Sequence, residues 1–327
     1  MRWPLVLAAL ATFLFPLAAR AHEVRPAYLD LNEYRSGEFS VLWKTPMAGE
    51  MRLALDPAFS DPVEVLTSVA ARRTGDAAVQ TWRLRVDSLR GHNLRIEGLE
   101  STLTDVLVRI SFADGSTWVE RLTPQRREAL IPTRPGAWSA AGTYLGLGIN
   151  HILMGVDHLL FVLALLLLTT GTWRLVKTVT AFTVAHSVTL GVVTLGILHV
   201  PPRPVEAVIA LSIVFVAAEI LRFRQGQVGL AARLPWIVAF TFGLLHGFGF
   251  AGALSEVGLP EGQIPVALLF FNLGVEAGQL LFIAGMLALI TVAKRVRAAW
   301  PAWAELVPPY AIGSMAMFWV IQRVALL

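Results

Sequence analysis

The chain has 327 residues, of which 55% are hydrophobic and only 15% charged, with a formal net charge of +4 and no cysteine. Soluble domains carry about 25% charged residues, so this deficit points to a membrane protein. The absence of cysteine excludes disulfides and thiolate metal sites, and basic residues flanking membrane spans account for the positive charge without a nucleic-acid partner.

The chain opens with a signal-peptide pattern: Arg2, an apolar run from Leu5 to Leu17, and a small-x-small site at Ala19-Arg20-Ala21. The competing reading is a seventh membrane helix, but the run is short and a polar, strand-like segment follows it. Cleavage after Ala21 makes His22 the first mature residue. Its amine and imidazole together suit Cu(II) or Ni(II); the plainer reading is that it is simply the residue after the cleavage site.

From His22 to about Gly136 the pattern has period two. Phe39, Val41 and Trp43 alternate with Ser40, Leu42 and Lys44, and Trp82, Leu84 and Val86 alternate with Arg83, Arg85 and Asp87. Val106, Val108, Ile110 and Phe112 repeat the pattern, and Asp114-Gly115 before Thr117-Trp118-Val119 predicts a hairpin turn. Short alternating strands predict a β-rich, sandwich-like or barrel-like antiparallel domain over 22–136. No catalytic grouping stands out in it, which leaves binding, docking or gating.

Pro132-Thr133-Arg134-Pro135-Gly136 reads as a linker, and the composition then changes. Six apolar stretches follow near 140–168, 175–198, 204–222, 234–254, 264–293 and 306–325, each about long enough to cross a ~30 Å hydrocarbon core. The expected architecture is an α-helical polytopic membrane protein with six transmembrane helices over 137–327. Arg174 and Lys177, then Arg222, Arg224 and Arg233, then Lys294, Arg295 and Arg297 occupy alternate loops. The intervening loops hold Arg203 in one case and only Glu256 and Glu261 in the other. The positive-inside rule places the basic loops in the cytoplasm. The β-rich domain and the C-terminus then face the periplasm of a bacterial inner membrane, in agreement with a cleaved signal peptide.

Titratable groups inside membrane spans are expensive and mark function. The first stretch carries His151, Asp157 and His158, the second His186 and Ser187, and the fourth His246. The fifth carries Asn272, Glu276 and Gln279, and the third has Ser212 centrally, with Glu206 and Glu219 nearer its ends. His151, His186, His246 and Glu276 each lie about ten to twelve residues into their stretches, roughly 15–18 Å along the axis and close to the midplane. Asn272, Glu276 and Gln279 share one helical face. His151 and His158 also share a face, but about 10 Å apart in a regular helix, with Asp157 turned about 100° from His158. Either Gly155 allows a bulge or break, or these residues form two levels along a path.

Taken singly, a buried histidine is more often a packing residue, an Asp beside a His can merely orient its ring, and a central Glu can be protonated. Taken together, the group reads as a functional polar site for an ion or a proton relay. Gly243 and Gly247, and Gly274 and Gly278, have the spacing of close helix packing. His92 and His199 read as ordinary surface residues.

His151-Ile-Leu-Met-Gly155-Val-Asp157-His158, followed by a Leu- and Phe-rich helix, resembles the His-Pro-x-x-Gly-x-Asp-His signature of the HupE/UreJ family of nickel/cobalt permease-type proteins. Phe182-Thr-Val-Ala-His186-Ser187, Phe242-Gly-Leu-Leu-His246-Gly247 and Phe271-Asn272-Leu-Gly-Val-Glu276 resemble the subfamily with an extra periplasmic domain, as does Ala21-His22-Glu-Val-Arg-Pro-Ala-Tyr-Leu. The chain departs from the family pattern in having Ile152 for the proline. It also lacks a second histidine soon after Gly247, and it has five residues, where general nickel/cobalt transporters have four, before Asp157-His158.

The resemblance implies a permease for a divalent transition metal, nickel or cobalt first. His151, Asp157, His158, His186, His246 and Glu276 would be its ligands, supported by Ser187, Asn272 and Gln279. Neutral imidazoles suit such borderline ions, and ligand protonation couples binding to pH. The expected partners are the metal ion, the lipid bilayer and a periplasmic partner of the β domain. The rival is an intramembrane zinc-dependent hydrolase built on the same cluster, with Ser187 beside His186.

Overall fold

The computed structural model of the chain describes residues 26–48, 51–68, 72–74, 77–134, 139–198, 200–255, 264–295 and 302–325. The expected signal peptide, His22, His199, Glu256, Glu261, Arg297 and the end of the linker lie outside the described residues. The chain divides into two compact units at Thr143/Tyr144.

In the first unit, β1 (Ala27–Arg35), β2 (Glu38–Ala48), β3 (Met51–Arg52), β4 (Asp56–Phe59), β5 (Glu64–Ser68) and β6 (Arg72–Thr74) are followed by β7 (Ala77–Arg85), β8 (Asn93–Glu97), β9 (Val106–Ser111), β10 (Thr117–Leu122) and β11 (Glu128–Leu130). The larger sheet runs β10-β9-β1-β2-β7-β5, with β3 added to β2 and β6 to β7, and a small sheet runs β11-β8-β4. The alternation in β2 faces Phe39, Val41 and Trp43 inward, onto Leu94 and Ile96 of the small sheet. The two sheets therefore share one core, as in a sandwich.

Two details differ from a simple antiparallel reading. β1 and β9 pair in parallel, which sequence periodicity does not encode. Every residue from Val106 to Ile110 is buried, including Arg109, so β9 is covered on both faces rather than one. The turn at Asp114-Gly115 does close the β9–β10 hairpin. Gly115 takes φ 82°, a left-handed conformation that favours glycine, and Asp114 Oδ1 accepts the Ser116 backbone N–H at 2.9 Å.

Beyond Ser139 the described chain is helical: α1 (Ser139–Met154), α2 (Val156–Leu168), α3 (Thr172–Thr194), α4 (Pro202–Arg224), the short α5 (Leu230–Arg233), α6 (Pro235–Ser255), α7 (Ile264–Arg295) and α8 (Val307–Val324). Among the described residues, Thr172–Thr194, Arg203–Arg224 and Pro265–Val292 are long and apolar enough to cross a membrane. Ala141–Met154 and Val156–Leu168 pass that test only as a pair, bent by 74°. The first apolar stretch is thus a broken helix rather than a rod.

Helix packing follows the small residues. α3 packs most extensively on α6, and α4 packs on α8. A Cβ on Gly243 would run into the backbone of Phe182, and one on Gly247 would meet His186 and Thr189, so these glycines let α6 approach α3. Gly274 and Gly278 serve α7 in the same way, against Leu145 and Ile149 of α1. This is the close-packing role their spacing predicts. Phe161, Phe182, Ile213, Val216, Val238 and Trp319 fill the core between α2, α3, α4, α6 and α8.

Candidate metal centre

The break at Gly155 creates the site. Gly155 has an extended conformation, φ −77° and ψ 91°, between α1 and α2. A Cβ there would lie 2.8 Å from both His151 O and His158 Nδ1, so the position excludes any larger residue without rearrangement. The bend brings the His151 and His158 rings to a centroid separation of 4.8 Å, where a straight helix would hold them about 10 Å apart along its axis.

α3 adds His186, whose ring centroid lies 6.2 Å from those of both His151 and His158. One nitrogen from each of His151, His158 and His186 falls within 4.8 Å of the others. An ion bound at about 2.1 Å to each nitrogen needs those atoms at most about 4.2 Å apart, so a small inward rotation of the rings closes the site. α6 adds His246, 5.1 Å from the His158 ring. His186 and His246 are fully buried, His158 is nearly so, and His151 is half-buried. Phe161, Phe182 and Phe271 pack against these rings at centroid distances of 5.0–5.5 Å for the closest pairs and wall the site in hydrocarbon.

Two neighbours orient the rings. Asn272 Nδ2 donates to Leu268 O at 2.8 Å, which turns Asn272 Oδ1 toward His186 Nδ1, 3.3 Å away. Since Oδ1 can only accept, His186 Nδ1 carries the proton and Nε2 keeps its lone pair. Ser212 donates its hydroxyl hydrogen to Ile209 O at 2.6 Å, so its oxygen accepts from His246 Nε2 at 3.1 Å and leaves the His246 Nδ1 lone pair. The remaining nitrogens, His158 Nε2, His186 Nε2 and His246 Nδ1, are buried with no hydrogen-bond partner. Buried polar atoms in this state cost free energy that a ligand recovers. A borderline divalent cation, which accepts lone pairs from neutral imidazole, matches these atoms chemically.

The two carboxylates have partners of their own. Asp157 Oδ2 accepts from Arg323 Nη2 of α8 at 2.7 Å and is not in the three-histidine group. Glu276 Oε1 accepts from Thr180 Oγ1 at 2.6 Å. Gln279 Oε1 accepts from Thr183 Oγ1 at 3.0 Å. With His186–Asn272, these pairs make a polar seam between α3 and α7. Ser187 Oγ donates to Thr183 O at 2.7 Å along its own helix. His92, in the first unit, lies 2.5 Å from Asp61.

Arg323, Thr180 and Thr183 are the site neighbours that the sequence reading missed. A single basic residue within the last apolar stretch was the available signal for Arg323. The threonines carried none, because threonine is common in membrane helices.

Residues 125–323 match the sequence model described as HupE / UreJ protein. No curated protein and no solved structure matches the chain. The match spans more than half of the chain and takes in every histidine of the cluster, and on that ground the chain belongs to the HupE/UreJ family.

Proposed function

We propose that the helical unit carries a divalent transition-metal ion, nickel or cobalt first, across a bacterial inner membrane. The observation that carries this reading is the convergence of His151, His158 and His186 nitrogens within 4.8 Å of one another. Family membership adds the expectation of nickel or cobalt as cargo.

In this reading the three histidines form the central station, and His246 is the next ligand along. Glu276, with Thr180, Gln279 and Asn272, forms a carboxylate-bearing stretch on the α3–α7 seam. Asp157 stands beside His158 as the remaining carboxylate of the set. Neutral imidazoles favour borderline ions over Mg²⁺ or Ca²⁺, which prefer oxygen ligands. The six-span arrangement, with basic loops inside and the β-rich unit in the periplasm after signal cleavage, belongs to the same reading. It rests on loop charge. There the β-rich unit would bind or deliver cargo, or dock a partner.

The zinc-hydrolase alternative draws no support from Ser187, whose hydroxyl is engaged by Thr183 O. The test is Ni²⁺ or Co²⁺ uptake into proteoliposomes holding the full chain. Wild type is expected to load the vesicles, and His158→Ala and His186→Ala are expected not to. Equal flux in all three would refute transport through this site, and a tightly retained stoichiometric Zn²⁺ without flux would favour the hydrolase.

A further inference from the structure

The bend between α1 and α2 brings His158 to His151, with Leu160, Phe161, Ala164 and Leu165 anchoring the body of α2 in the helical core. No side chain caps the start of α2. The backbone bonds Gly155 N→His151 O and Leu159 N→Gly155 O run through the break but are each local to one arm. Core packing holds the body of α2, so its first turn, where Asp157 and His158 lie, is the part left for a distant element to fix.

Arg323 supplies such an element. Its guanidinium reaches from the last turn of α8 to Asp157, in the first turn of α2 and next to His158, with Nη2 2.7 Å from Oδ2. The same fork holds α4: Nη1 donates to Glu206 O at 2.9 Å, and Nε lies 3.8 Å from Glu206 Oε2. Its Cζ lies 5.7 Å from the Trp319 ring centroid. The Arg323 and Asp157 side chains are only 12% and 17% exposed, which places this ion pair where screening is weak and geometry is retained. A guanidinium presents its donors in a rigid planar fork that meets two partners in fixed directions, whereas a lysine ammonium is a compact point charge on a flexible stem.

We infer that Arg323 is a positioning residue for the histidine site: it tethers Asp157 to α8 and α4 and so holds the bend that presents His158 to His151. Asp157 then acts as the anchor of α2 and not as a metal ligand. The inference rests on the reading that the histidines hold the ion, but the tether itself can be measured without metal.

The chain has no cysteine, so spin labels can be placed at chosen sites on the full-length protein in nanodiscs. Gly146→Cys on α1 and Thr170→Cys just past α2 lie at exposed positions on either side of the break. Arg323→Met should lengthen or broaden their distance distribution, by roughly 7 Å if the bend opens fully at 1.5 Å rise per residue. It should also weaken Co²⁺ binding, read from the ligand-field absorption of the bound ion, by about 10–100-fold, as loss of an outer-shell partner does. The exchange Asp157→Arg with Arg323→Asp should recover part of both, because it restores the pair between α2 and α8 but not the bond to Glu206 O. Arg323→Lys keeps the charge and guards against a variant that does not fold; it should shift the distance in the same direction by less.

An unchanged distance in Arg323→Met and Arg323→Lys overturns the tether. So does Co²⁺ binding that survives Arg323→Met but weakens, with an altered ligand-field spectrum, in Asp157→Asn, since Asp157 would then be a ligand. A bend that depends on Arg323 in a wild type that never takes Co²⁺ upholds the tether and refutes the metal reading alone.

Discussion

The two units of this chain turn different kinds of side chain toward their surroundings. The β-rich unit has an apolar interior of Leu29, Phe39, Val41, Trp43, Ile96 and Ile110, and most of its ion pairs, such as Arg85–Glu38 and Arg127–Glu100, lie on the surface. The helical unit turns Trp173, Leu269, Leu281, Phe318 and Ile321 outward and encloses His158, His186, His246, Asn272 and Gln279. A single principle explains both patterns: apolar surface is placed against apolar surroundings. The surroundings differ, water for the first unit and hydrocarbon for the second. Polar groups enclosed by the second unit therefore have no hydrophobic explanation and need a functional one.

The most severe test of that contrast is His186→Ala. It removes a nitrogen from the three-histidine group, and Ni²⁺ or Co²⁺ affinity, measured by equilibrium dialysis, should fall by more than the roughly 100-fold ceiling for outer-shell partners. In the β-rich unit the equivalent loss is one of packing. Trp43→Ala should lower stability by about 3–5 kcal/mol in denaturant titration while leaving metal affinity unchanged.

Substitutions at exposed leucines then sharpen the comparison. Leu281 is 59% exposed near the middle of the α7 span. A Leu281→Lys change should cost about 2.5–3.5 kcal/mol in a membrane-insertion assay. Leu103, 87% exposed in the β-rich unit, should accept lysine within about 0.5 kcal/mol of its original stability. Equal costs at the two sites would contradict the assignment of different solvents.

Asn272→Ala removes the group that fixes the His186 ring. Metal affinity should drop about 10–100-fold, with Asn272→Gln or →Asp recovering part of it if an acceptor is what matters.

The smallest effect concerns Asp114. Hydrogen bonds from the Ser116 hydroxyl and backbone, then from Arg90, hold its pKa down from 3.8 to about 2. Because the folded state prefers the ionised form, this contribution is present above about pH 3.8 and is lost as pH falls toward 2. Asp114→Asn should flatten that part of the acid-unfolding curve of the β9–β10 hairpin.

Much of the architecture was legible in local pattern. Period two located β2, β7, β9 and the Asp114-Gly115 turn, because strand alternation is set by neighbours in sequence. Long apolar stretches located the helices, and glycine spacing marked two close-packing faces, whose partners α3 and α1 only the structure names. The site was half legible. The depth of His151, His186 and His246 follows from rise per residue, and His151 does lie beside His158, but the helix count alone left a break at Gly155 and two separate levels equally open.

Sequence alone thus determined the strongly alternating strands, the apolar stretches that become helices and the titratable groups inside them, since these depend on periodicity and composition over a few turns. Tertiary structure alone decided that α1 and α2 bend by 74°, that β1 and β9 pair in parallel, and that Asp157 pairs with Arg323. Those outcomes depend on partners far away in sequence, 166 residues away in the case of Asp157 and Arg323. Contacts of that range come from how whole helices and sheets pack, which no local window contains.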